Sequence, residues 1–124
     1  MLCLVHGYLT LLAGVAEGDA DFSDAWNLGP STDGAMTVEN VARRLQAHWP
    51  DLNIEVRPEG LHEAKLLTLD STKARKHLGW KPAWDAVESI DRTAQWYGSY
   101  LLDPASAAQL TLDQLATYRA TLAG

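Results

Sequence analysis

The sequence predicts an α/β chain that is rich in helix, has a few short strands, and lacks a complete doubly wound sheet. Three observations carry this. Apolar residues recur at helical spacing in four separate stretches of the 124 residues. Period-two alternation is confined to brief runs. No regular succession of strand, helix and strand is present to build a parallel sheet.

Taken in order, Leu2, Val5, Leu9, Leu12 and Ala13 share one face of a first helix. No Ser, Thr, Asp or Asn precedes it as a cap, which carries the expectation that the sequence once continued upstream. Gly18 and the acidic run 19–24 form a loop, and Ala25-Trp26-Asn27-Leu28-Gly29-Pro30 is expected as a short strand ending in a turn. Thr37 caps a second helix with the stripe Val38, Val41, Ala42, Leu45 and Trp49, closed by Pro50. Leu52, Ile54 and Val56 alternate as in a strand. Pro58-Glu59-Gly60 is a turn, and Leu66, Leu67 and Leu69 suggest one more extended segment.

The stretch Leu69 to Tyr97 is the most strongly punctuated. Asp70 is placed to cap a helix running through Lys73 to Leu78. Gly79 suits the left-handed residue after a helix, and Pro82 prevents continuation. Asp85 opens the next helix, with Glu88 three residues on as in a reciprocal cap. Its apolar face is Val87, Ile90, Ala94, Tyr97 and Leu101. Beyond a loop at Pro104, Thr111 with Gln114 forms a capping box that opens the last helix, with Leu112, Leu115, Ala116 and Leu122.

A chain of this length reads as one domain and can bury roughly two thirds of its unfolded surface. Hydrophobic residues at 47% and charged residues at 21% suit a globular protein. The net charge of −6 argues against a nucleic-acid or anionic-membrane partner. Lys73, Arg75, Lys76, His77 and Lys81 cluster, and a solvated helix face explains them more simply than a binding patch. Cys3 is the sole cysteine, so no internal disulfide forms; this fits a reducing compartment and a small buried hydrophobe. Residues 1–16 are apolar, but the first Lys or Arg is Arg43, so the positive flank of a leader is missing. The run is also shorter than the roughly 20 residues of a membrane span.

Reaction chemistry is hard to find. The nine glycines never form GxGxxG, the turn that seats a dinucleotide pyrophosphate. Leu12, Leu101, Pro104 and Leu122 stand four after Tyr8, Tyr97, Tyr100 and Tyr118, so there is no Tyr-xxx-Lys pair. His6, His48, His62 and His77 are scattered, with neither a metal-ligand spacing nor a GxSxG elbow nearby. The suggestive polar pair is His62-Glu63, between a Pro-Gly turn and an apolar segment. A loop carboxylate can accept from ribose hydroxyls or a base amine, and the histidine can donate to phosphate or carbonyl oxygen. From the residues alone an ordinary exposed loop is the simpler reading. Trp80, Trp84, Trp96 and Tyr97 could stack on a base or sugar, but their positions favour packing.

Several segments together resemble one family. They are Gly7-Tyr8-Leu9, Trp26-Asn27-Leu28-Gly29-Pro30, His62-Glu63-Ala64 with Leu69-Asp70, Lys73-Ala74, Leu78-Gly79-Trp80-Lys81-Pro82, Trp96-Tyr97 and Thr111-Leu112-Asp113-Gln114-Leu115. They resemble the C-terminal portion of the extended short-chain dehydrogenase/reductase family, the NAD-dependent epimerases and dehydratases of nucleotide sugars. Leu-Gly-Trp-x-Pro marks only the superfamily. Trp-Asn-x-Gly-Pro, His-Glu-Ala and the tail point to its CDP-glucose 4,6-dehydratase branch.

The resemblance implies a single substrate-binding domain over 1–124, with the NAD-binding domain and its Rossmann sheet absent. In the family, NAD takes a hydride from sugar C4, the C5 proton is removed, water leaves C6 and the hydride returns there. This lyase reaction gives a 4-keto-6-deoxy sugar for surface polysaccharide, in the cytoplasm. Only His62 and Glu63 carry over, as nucleotide-sugar contacts; no catalytic, cofactor-binding or metal-binding residue does. Cys3-Leu4 stands where the family has Glu-Pro, and with the uncapped start this implies a truncated reading frame. The chain alone is expected to take a nucleotide sugar, CDP-glucose, to bind no NAD and to be inactive. Two alternatives stay open: a non-catalytic helical interaction module that self-associates through an exposed apolar surface, and a fragment of another nucleotide-sugar epimerase or dehydratase.

Overall fold

The structure, a computed structural model, describes residues 1–31, 34–57 and 69–123. Among the described residues five α-helices follow one another: α1 Leu2–Ala16, α2 Val38–His48, α3 Thr72–His77, α4 Ala86–Leu102 and α5 Ala107–Ala123. Single 3-10 turns span Ala20–Phe22 and Pro104–Ser106. The chain divides into two compact units, one holding α1 and α3 and the other α2, α4 and α5.

In the first unit α1 presents glycines inward. A Cβ on Gly7 would stand 2.6 Å from Leu28 Cδ1 and 3.0 Å from Trp80 Nε1, and one on Gly14 would overlap the Phe22 ring. The helix thus packs closely at both sites, most tightly at Gly14. Trp80, Trp84 and Ala74 are buried in this unit, and the Cys3 thiol donates to the Trp84 carbonyl at 3.6 Å. Helix α3 ends as its sequence requires: Gly79 has φ +62°, and the Trp80 N–H turns back to the Ala74 carbonyl at 3.3 Å.

In the second unit Thr37 caps α2, its hydroxyl accepting from the Asn40 amide at 3.1 Å. The Gln46 side chain donates to the Leu52 carbonyl at 2.7 Å and fixes the turn after α2. Trp49 then lies on α4, with its Nε1 3.0 Å from where a Cβ of Gly98 would be. Ala94 of α4 and Tyr118 of α5 are buried.

The structure revises four local expectations. The described parts of the extended segments, 25–30 and 52–57, belong to no strand, and no strand exists among the described residues. Alternation shows that a run could lie on a sheet but does not supply a neighbour to bond with. Helix α3 spans Thr72–His77, with Ser71 rather than Asp70 in the N-cap position. Helix α5 begins at Ala107, a turn before Thr111, because Asp103 and Pro104 already start the chain turning: Asp103 Oδ1 accepts from the Ala105 amide at 3.1 Å. Val38 is 83% and Leu101 72% exposed, so each lies at the outer end of its apolar stripe. Among the described residues no helix is long and apolar enough to cross a membrane.

Candidate functional site

Motif segments far apart in the chain meet in the first unit. Gly7 of α1 touches Leu28 and Trp80. Gly29, one residue on, is held by the start of α3: its amide donates to the Ser71 hydroxyl at 2.8 Å in a buried position. A Cβ on Gly29 would lie 3.1 Å from Leu69 Cβ and 3.3 Å from Ser71 Oγ, so the two segments approach closely here. Ser71 is 1% exposed.

Lys73 adds a second fastening. Its ammonium donates to the Ala25 carbonyl at 3.0 Å, pairs with the Asp24 carboxylate and sits 4.2 Å over the Trp26 ring. The hydrogen bond from Lys73 and then that from the Ala25 amide hold the Asp24 carboxyl below the usual carboxylate range. A recess of about 320 Å³ opens beside this clamp, lined in part by Asp24, Trp26, Lys73 and His77. Its aromatic face is covered by Lys73, and Asp24 is already paired, so the groups that would grip a ligand are engaged in holding the chain.

Asp70 stands one residue before the N-cap of α3, which is Ser71, and still reaches the start of the helix. Its Oδ1 accepts from the Thr72 amide at 2.8 Å, and the hydrogen bonds from Thr72 lower its pKa. His62 and Glu63 lie outside the described residues. Trp80 and Trp84, 3% and 8% exposed, are packing residues as expected. Trp80 Nε1 has no hydrogen-bond partner among the described residues, because it is pressed over Gly7. Trp96 packs edge-on to Tyr97 and stacks with Tyr100 at 5.2 Å, while its Nε1 donates to Thr111 Oγ1 at 3.1 Å.

The second unit holds a polar cluster that sequence reasoning missed. Asp91 of α4 accepts from two guanidinium nitrogens of Arg44, Nε at 2.8 Å and Nη2, and from His48 Nε2 at 2.9 Å. The Arg44 bond first, and the His48 bond second, lower the Asp91 pKa to about 2. The partners are 47 and 43 residues away in sequence, so no local spacing announces them. No group of three or more His, Cys, Asp or Glu able to hold a metal occurs among the described residues.

No family model matches the chain. Over 102 residues it is 34% identical to the CDP-glucose 4,6-dehydratase of Salmonella typhimurium, covering 78% of this chain and 28% of that protein. It is 32% identical over 99 residues to the UDP-glucose 4-epimerase of Streptococcus mutans, again 78% and 28%. The UDP-glucose 4-epimerase of Lactobacillus helveticus is 33% identical over 79 residues, covering 63% of this chain and 24% of that protein. The chain thus spans less than a third of the length of the curated relatives it matches.

Proposed function

The chain belongs to the nucleotide-sugar dehydratase and epimerase family as a C-terminal segment, and from that premise we propose that it is the sugar-nucleotide-recognising part of a CDP-glucose 4,6-dehydratase, inactive by itself. The observation that carries the proposal is the convergence of family-like segments on one small unit. Gly7, Leu28-Gly29, the Leu69–Ser71 stretch and Trp80 touch there although they are scattered along the sequence. Helix starts and glycines have been used to build that scaffold, and the described residues include no strand leading through a glycine-rich turn into a helix. They therefore do not fit NAD, and no redox step is assigned to this chain.

His62 and Glu63 are the residues we assign to the ligand, within a single substrate-binding domain of a cytoplasmic protein. The Glu63 carboxylate would accept hydrogen bonds from ribose hydroxyls or the cytosine amine, and His62 would donate to a phosphate or carbonyl oxygen. Charge-assisted bonds of this kind each contribute about 1.5–3 kcal/mol. Glu63→Ala should therefore weaken CDP-glucose binding at least about tenfold, measured by nuclear magnetic resonance titration of the whole chain. Equal affinity in the variant would remove Glu63 from the site. The matches to two UDP-glucose 4-epimerases favour one second reading, a UDP-sugar segment. Tighter binding of UDP-glucose than of CDP-glucose in the same titration would select it.

A further inference from the structure

We draw no further inference here: the strongest candidate, the recess beside the Lys73 clamp in the first unit, lined in part by Asp19, Asp21, Asp24, Trp26 and His77, carries nothing, because it is an acidic cluster whose Asp24 and Trp26 are already engaged by Lys73 and nothing in the structure shows what would occupy it.

Discussion

The Gly29 amide is enclosed, and the Ser71 hydroxyl accepts its hydrogen bond at 2.8 Å. Removing the hydroxyl leaves a buried donor unsatisfied, which costs about 1–3 kcal/mol. Ser71→Ala should lower the unfolding free energy by that amount in a urea titration; a change near zero would mean that water replaces the hydroxyl. Asp91 carries the clearest pH dependence. Its pKa is depressed to about 2 by Arg44 and then His48, so its contribution is complete above the unfolded value and is lost as pH falls from about 4 toward 2. Because Arg44 is 40% exposed, solvent screening reduces that contribution to about 1–2 kcal/mol. Asp91→Asn should cost this amount at neutral pH and flatten that part of the acid limb in urea titrations across the window. Neither residue was legible in the sequence. Ser71 reaches Gly29 across 42 positions, and Arg44 reaches Asp91 across 47, whereas Asp70 and Thr37 act on amides two or three residues away and could be read directly.

Helix α1 shows how an element can oppose its own propensities. Alanine is ordinarily better than glycine inside a helix by about 1 kcal/mol. At Gly14 the added Cβ would enter the Phe22 ring, and overpacking costs about 1–3 kcal/mol. Gly14→Ala should therefore lower the midpoint of thermal unfolding. A rise would show that Phe22 swings away freely. Helical stretches were legible because periodicity is local, and so was the stop at Gly79, whose φ of +62° suits a residue without a Cβ. The start of α5 was misplaced because Thr111 and Gln114 look like a capping box. Inside the helix they serve other ends: Thr111 donates to the Ala107 carbonyl at 2.8 Å and accepts from Trp96, and Gln114 donates to the Arg92 carbonyl at 2.7 Å. The strands expected at 25–30 and 52–56 failed for a related reason, since a partner strand is a tertiary fact that alternation does not encode.

At the scale of the whole molecule, the sequence carries no glycine-rich phosphate turn and no Tyr-xxx-Lys pair. The family was legible through short segments, and their meeting around Gly7, Gly29 and Trp80 gives those segments a packing reason. Trp26, by contrast, could be named but not placed, because its neighbour Lys73 is remote in sequence. The central claim is that this chain recognises a nucleotide sugar and leaves the redox chemistry to another part of the family's architecture. Saturation-transfer nuclear magnetic resonance on one mixture of the chain, CDP-glucose and NAD⁺ tests it most directly. The expected result is transfer to CDP-glucose, none to NAD⁺, and no 4-keto-6-deoxy sugar over time. Transfer to NAD⁺, appearance of that product, or silence from CDP-glucose would contradict the claim.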